Sequence, residues 1–313
     1  WLQSSLIADF SAYPVSRFWD AVEITGIGLG TVSGTYYIAG LGETGIRLQS
    51  PAGEGEVEFR VVAAPKIFDA TTRVLSPWKA AVGDIPLGCH LIELYRDRLV
   101  MADRLGQWFM TRQGDPLDLD FSQEDAQAAV YGGGATQIAG LIADPMTALG
   151  AFSNEHLIMS SVREIFVMRG DPKLGGGFSR VGASSGVIGK RAHCFADNGD
   201  FYFLGEAGLY RYSALSNSVP VPVSHSRMPN ELRRVDLRTF VPCLVYDAER
   251  RGIFIFLTDA TAQSPSEHWF YDIEHDGFWP IQFNLDTAGS FDPVSVLGVV
   301  GRDDGDTVVL LGG

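Results

Sequence analysis

One phrase occurs three times along this chain: Ile67-Phe68-Asp69 followed by Pro77-Trp78, Leu209-Tyr210-Arg211-Tyr212 followed by Pro220-Val221-Pro222, and Phe270-Tyr271-Asp272 followed by Trp279-Pro280. Each copy reads as the aromatic end of a strand, a polar turn, and a new strand opening near Pro or Trp. In the first and third copies the Asp-to-Pro spacing is the same, Asp69 to Pro77 and Asp272 to Pro280. One hairpin recurring at intervals of tens of residues marks a repeat architecture. The expected fold class is all-β: a β-propeller built from repeated four-stranded antiparallel blades, with few short helices. Propellers host many activities, so the fold alone selects none.

Five apolar segments strengthen this reading, each entered from a charged or Gly-bearing turn. They begin Leu99-Val100, Leu157-Ile158, Phe201-Tyr202, Ile253-Phe254 and Thr307-Val308. Between the markers Leu99, Leu157, Phe201, Ile253 and Val308 the spacings are 58, 44, 52 and 55 residues. A blade needs roughly 40–50 residues, with loop insertions adding to that, so about five units are visible. The strands are nearly continuous apolar runs, as expected for sheets covered on both faces. A second phrase recurs in successive units. The run from Trp108 to Arg112 leads into Gly114-Asp115-Pro116, and the run from Ile165 to Arg169 leads into Gly170-Asp171-Pro172.

The chain is expected to divide at residue 80. Residues 1–80 form an N-terminal β region, either a first blade or a small accessory β-domain, with strands near 35–40 and 55–62. Residues 81–313 carry the propeller blades, the last of them incomplete. Helical periodicity is nearly absent. Residues 226–234 are one candidate helix, with Ser226 as cap and Pro229 in an early position. Residues 121–128 are another, with Ser122 as cap. The chain opens on Trp1 and stops two glycines after its last strand, which reads as a processed or partly traced chain.

A chain of 313 residues with 46% hydrophobic and 20% charged side chains can bury a real core. The formal net charge of −14 argues against a reader of nucleic acid that neutralises phosphates. It fits solubility, or a passage along which DNA slides past a repulsive wall. Cys89, Cys194 and Cys243 are too few and too far apart for a disulfide framework and read as buried free thiols. No apolar run approaches the roughly 18 residues that a spanning helix needs.

The motifs that carry chemistry are incomplete. Gly186-Val187-Ile188-Gly189-Lys190 lacks the hydroxyl residue of a phosphate loop, with Arg191 in its place and Ser184 where the first Gly belongs, so it reads as a turn. Gly26-Ile27-Gly28-Leu29-Gly30 has Thr31 where the third Gly of a dinucleotide fingerprint belongs, and it reads as a strand linker. Asp118-Leu119-Asp120-Phe121-Ser122 alternates oxygen ligands, but Gln123 and Ala129 replace the Gly and the acid of an EF-hand. Asp303, Asp304 and Asp306 read as a solvated turn. In the pairs Cys89-His90 and His193-Cys194, adjacent strand residues face opposite ways, so each pair offers one inward ligand at most. Trp78, Trp108, Trp269 and Trp279 sit at matching places in the repeats and read as blade packing, with a sugar-binding platform as the other use. No residue is assigned as catalytic, cofactor-binding or metal-ligating, and no cofactor is expected.

The Tyr-Asp and Trp-Pro hairpins look like outer strands of kelch-type blades, without the Gly-Gly doublet of that family. A closer resemblance covers roughly residues 65–260. The run from Leu94 to Ala102, the run from Trp108 to Asp118, Gly186-Val187-Ile188-Gly189, the run from Asn198 to Leu204, and Gly208-Leu209-Tyr210-Arg211 resemble bacteriophage tail proteins of the nozzle or tail-tubular type. The resemblance implies a structural, non-enzymatic virion protein made in the host bacterial cytoplasm. It would form a homo-oligomeric ring, commonly sixfold, against portal, adaptor or other tail proteins, lining the DNA ejection conduit with DNA only in transit. Arg227, Arg233 and Arg234 on the candidate helix read as a solvated face, with docking of a neighbouring subunit or an acidic partner as the other use. The alternatives are a carbohydrate-binding or carbohydrate-degrading tail propeller, which needs two carboxyls facing one cleft, and a monomeric propeller that binds through one rim.

Overall fold

The structure is a computed structural model. It describes residues 21–26, 34–42, 45–48, 57–62, 66–86, 88–133, 144–181, 185–213, 219–223, 227–259, 267–281, 295–301 and 307–312. It is all-β, built on four consecutive four-stranded antiparallel meanders, the blades of a propeller architecture. Blade A comprises Leu91–Tyr95, Arg98–Ala102, Gln107–Met110 and Val130–Gly133. Blade B comprises Met146–Phe152, His156–Ser161, Ile165–Arg169 and Gly177–Val181. Blade C comprises His193–Phe195, Asp200–Gly205, Gly208–Ser213 and Val221–Pro222. Blade D comprises Phe240–Asp247, Gly252–Asp259, Glu267–Asp272 and Gly277–Ile281. A hairpin, Ser295–Gly301 with Thr307–Gly312, follows blade D.

The markers Leu99, Leu157, Phe201, Ile253 and Val308 all lie on the second strand of their unit. The first strands of neighbouring units lie side by side: Leu91–Tyr95 beside Met146–Phe152, then His193–Phe195, Phe240–Asp247 and Ser295–Gly301. Second strands are covered on both faces. In His156–Ser161 and in Asp200–Gly205 every residue after the first is buried. The fourth strand Gly177–Val181 is mostly exposed, so burial falls from the inner to the outer edge of a blade. Hairpin chemistry fixes the registers. In blade A, Tyr95 pairs with Arg98 across a two-residue loop in which Arg96 and Asp97 both hold positive φ, 53° and 59°, the geometry that matches strand twist. The core has one cluster across blades B, C and D, around Phe201, Phe203, Ile255 and Tyr271, and another between blades A and B, around Tyr95, Met110, Met159 and Phe166.

The N-terminal part is arranged differently. Strands Ala21–Gly26, Gly34–Gly42, Gly45–Leu48 and Val57–Val62 form a sheet in which Ala21–Gly26 lies between Gly34–Gly42 and Val57–Val62, an order unlike the sequential meander of the blades. The hairpin Lys66–Asp69 with Val74–Pro77 follows. A two-residue parallel pairing joins Val82–Gly83 to Asp118–Leu119.

Both helix expectations need correction. Around residue 230 only Asn230–Arg233 is helical. Pro229 holds the capping position without a side-chain bond, and Ser226 lies outside the described residues. Residues 121–128 are turns. Asp120 accepts from the Ser122 amide at 2.9 Å and Asp125 from the Gln127 amide at 2.9 Å, local bonds that compete with a helix. The Arg98 guanidinium also takes the carbonyls of Ala126, Gln127 and Ala128 at 3.0, 3.1 and 2.7 Å.

Candidate functional site

Where the first strands of the blades converge there is a cavity of about 450 Å³. Blade A contributes His90, Ile92 and Glu93, blade B contributes Leu149, and blade D contributes Cys243 and Val245. Lys190, Arg191 and His193 arrive on the connector into blade C and on its first strand. That connector is the Gly186–Lys190 run, and the turn expected there is what forms. The Gly186 amide donates to the Val162 carbonyl at 2.8 Å and the Ile188 amide to the Leu204 carbonyl at 3.0 Å. The Arg191 carbonyl accepts from the Leu244 amide at 2.7 Å, which ties the connector to blade D. Lys190 and Arg191 are thereby held at the cavity as a by-product of a structural turn.

Burial, then the charge of Lys190, pushes His90 down to about 4, against the bond its ring makes to the Met146 carbonyl at 3.0 Å. Burial likewise pushes His193 to about 4. Burial lowers Lys190, and the like charges of Arg104 and Arg191 add to this. Burial raises Glu93, whose carboxylate accepts from the Leu94 amide at 3.0 Å, and pushes the Cys243 thiol up to about 11. At neutral pH the imidazoles are uncharged and weakly basic, and Cys243 is a thiol without nucleophilic strength. Cations beside neutral imidazoles suit retention of an anionic group better than proton transfer. A second recess of about 310 Å³ lies at the outer strands of blades C and D, lined by Arg211, Tyr271 and Asp276. The Tyr271 hydroxyl donates to Asp276 there at 2.8 Å.

The remaining expectations fall out individually. Cys89 and Cys243 are buried and Cys194 is partly buried, all three as free thiols. Cys89 sits in a cluster with Trp78 and Met101, whereas the adjacent His90 faces the cavity; both precede the strand Leu91–Tyr95, so the pair offers one inward ligand without strand alternation. Asp118 is spent on the Asp120 amide at 2.9 Å, and its other oxygen lies 4.0 Å from Arg112. Among the described residues no three His, Cys, Asp or Glu side chains come together in a way that would hold a metal ion. Trp78 and Trp108 are buried and Trp269 is half-buried, but Trp279 is 60% exposed. Blade packing therefore accounts for three of the four, and no shared platform forms. Arg227 reaches the Asp276 carbonyl at 3.4 Å and Arg233 the Met228 carbonyl at 3.3 Å, so these two are engaged within the fold, and Arg234 is exposed. Gly28, Gly30, Asp303, Asp304 and Asp306 lie outside the described residues.

The ties between blades were missed in the sequence. Arg98, fully buried, donates through Nε to Asp171 of blade B at 3.1 Å and through Nη1 to the Thr111 carbonyl at 3.0 Å, besides the three carbonyls named above. Next to it the Tyr95 hydroxyl donates to the Gly170 carbonyl at 3.0 Å. Arg96 donates to the Asn154 carbonyl at 2.8 Å. The Gly170-Asp171-Pro172 turn therefore receives two bonds from the preceding blade. Its recurrence in the sequence was the available signal, and its partner was not visible there.

No protein-family model matches the chain, and no curated protein matches it. Solved structures give distant likenesses. A chain of the mitotic checkpoint complex aligns with TM-score 0.45 and 12% identity, over 99% of this chain and 90% of that one. A structural genomics protein of unknown function from Bacteroides thetaiotaomicron aligns with TM-score 0.42 and 10% identity, over 94% and 74%. The tricorn protease aligns with TM-score 0.41 and 10% identity, over 90% and 26%. Among the described residues no helix is long and apolar enough to cross a membrane.

Proposed function

We propose that this chain is a non-catalytic structural protein of a phage tail, a nozzle- or tail-tube-like ring component that borders the DNA exit path and joins neighbouring tail proteins. The observation that supports this reading is the use made of the phrases resembling that class. The run from Leu94 to Ala102 supplies Tyr95 and Arg98, which reach across a blade boundary to the Gly170 carbonyl and the Asp171 carboxylate. These sequence signals are therefore mechanical: they stiffen a scaffold. A scaffold of this kind works by repetition around a closed symmetry axis, and the acidic balance of −14 lets DNA pass without being held by its phosphates. In this reading the protein resides in the virion after synthesis in the host cytoplasm.

A second reading, a monomeric module that retains an anionic ligand, is favoured by the cavity carrying Lys190 and Arg191. The mass of the native particle, measured over a range of protein concentration and salt, separates the two. A ring of about six copies, or assembly on adding other virion proteins, is the expected outcome. A monomer under all these conditions would end the ring reading and leave the binding module.

A further inference from the structure

From the two isolated hairpins we infer that Lys66–Pro77 is the outer half of the blade whose inner half is Ser295–Gly312, so that the N-terminal hairpin closes the propeller on its C-terminal one. This rests on the fold and not on the proposed function. Ser295–Gly301 lies beside the first strand of blade D as each first strand lies beside its predecessor. It therefore holds a first-strand place, and Thr307–Gly312 holds a second-strand place. Blades A to D each have a third and fourth strand at that point, whereas these two strands form a sheet of two.

Lys66–Pro77 has the character of the missing half. It carries the phrase that in blades C and D spans the third and fourth strands. Its register, Asp69 opposite Val74 and Phe68 opposite Leu75, repeats that of blade D, Asp272 opposite Gly277 and Tyr271 opposite Phe278. The turns also repeat in detail. Asp69 Oδ1 accepts from the Thr71 and Thr72 amides at 2.8 and 3.3 Å, and Asp272 Oδ1 from the Glu274 and His275 amides at 2.9 and 3.0 Å. The second oxygen takes the side chain of the fourth turn residue in each case, Thr72 at 2.7 Å and His275 at 2.8 Å.

Two further observations agree. Ile67 and Phe68 are 48% and 59% exposed, whereas Tyr271, the counterpart of Phe68, is 4% exposed. The hairpin thus presents apolar side chains that a neighbouring strand pair covers elsewhere, on an edge of the kind proteins seldom leave unpaired. The connection onward also fits. Thirteen residues, 78–90, lead from Pro77 to the first strand of blade A, and thirteen, 282–294, lead from blade D to Ser295.

Blade D supplies the register. There Gly252, Ile253 and Phe254 oppose Asp272, Tyr271 and Phe270, and Asp247 opposite Gly252 corresponds to Gly301 opposite Thr307. Thr307 then faces Asp69, Val308 faces Phe68 and Val309 faces Ile67, with Thr307–Gly312 and Lys66–Asp69 antiparallel.

Disulfide trapping in the full chain tests this. Directly opposed strand residues lie within disulfide reach, whereas residues offset by two along one face do not. Phe68→Cys with Val308→Cys is expected to oxidise within one chain at least about tenfold faster than the offset pair Phe68→Cys with Leu310→Cys. Equal rates, or links formed only between chains, would overturn the inference, the latter assigning the hairpin to a second copy. Amide exchange on the unsubstituted chain reads the same pairing without a variant that could misfold. Slow exchange in both 66–69 and 307–312 is expected, and complete exchange of 66–69 at the earliest times would overturn it.

Discussion

Arg98 ties blade A to blade B through a buried ion pair. Its side chain is 0% exposed and that of Asp171 is 2% exposed, and its guanidinium satisfies four carbonyls besides the carboxylate. A buried ion pair gives little net stability, but removing one partner strands the other charge. Arg98→Met should therefore destabilise by about 3–5 kcal/mol in chemical denaturation, and Arg98→Met combined with Asp171→Leu should recover part of that loss. A double variant no better than the single one would assign the effect to the orphaned carbonyls of residues 126–128. A second residue-scale expectation concerns His275, which is exposed. The Asp272 carboxylate, by hydrogen bond first and by charge second, raises it above the ordinary 6.5. Proton NMR should show His275 titrating above 6.5, and Asp272→Asn should bring it back down. An unchanged titration in that variant would remove the pair from the turn. Arg98 stood in a phrase that the sequence singled out, yet it read as part of a polar turn, because its partner lies 73 residues away and a single sequence carries no signal across that distance.

At the scale of the element, the strands were legible because apolar runs and Gly- or Asp-bearing turns are local signals, and all five marker residues lie on second strands. The expected helix over 121–128 failed for a reason equally local in cause but not in visibility. Its aspartates bond their own backbone, and Arg98, from another strand, fixes the end of the segment through the carbonyls of Ala126 and Ala128. The candidate site was less legible still. Lys190 stood in a run that read as a turn, and its place at the cavity follows from how the connector Gly186–Lys190 crosses between blades B and C. Gly186 makes that crossing possible. A Cβ on it would run into the Ser161 carbonyl oxygen, with the Glu164 carbonyl oxygen at 2.9 Å. Neither backbone atom can yield without moving blade B. Gly186→Ala should cost about 1–3 kcal/mol and disturb the cavity. Gly177→Ala, where a Cβ meets nothing within 4 Å, should be close to neutral or slightly stabilising. Equal losses at the two sites in urea denaturation would show that the connector is not under this constraint.

Across the whole molecule, opposed pH effects decide where stability peaks. The net charge of −14 and pI near 4.8 mean that acidification toward the pI relieves self-repulsion and favours the fold. His90 and His193 work the other way. With folded-state values near 4 against an ordinary 6.5, the unfolded chain binds more protons than the folded one between those limits. Stability therefore falls as pH drops through that window. The carboxylates of Asp69, Asp120, Asp125 and Asp272 are held below their ordinary 3.8, Asp125 chiefly by the Arg112 side chain and the other three chiefly by hydrogen bonds within their turns. Their contribution is complete above that value and is lost only in stronger acid. The imidazole effect, on the order of 2–3 kcal/mol for His193 and less for the half-exposed His90, exceeds a diffuse surface repulsion that salt screens within about 8 Å at physiological strength. Calorimetry at 0.15 M salt, a concentration chosen for that screening, should therefore find the highest Tm near neutral pH, with a decline from about pH 6.5 downward that flattens in His193→Gln. A Tm that instead peaks at the pI, and moves there further as salt is removed, would show that repulsion among the surface carboxylates and not the buried imidazoles governs the fold.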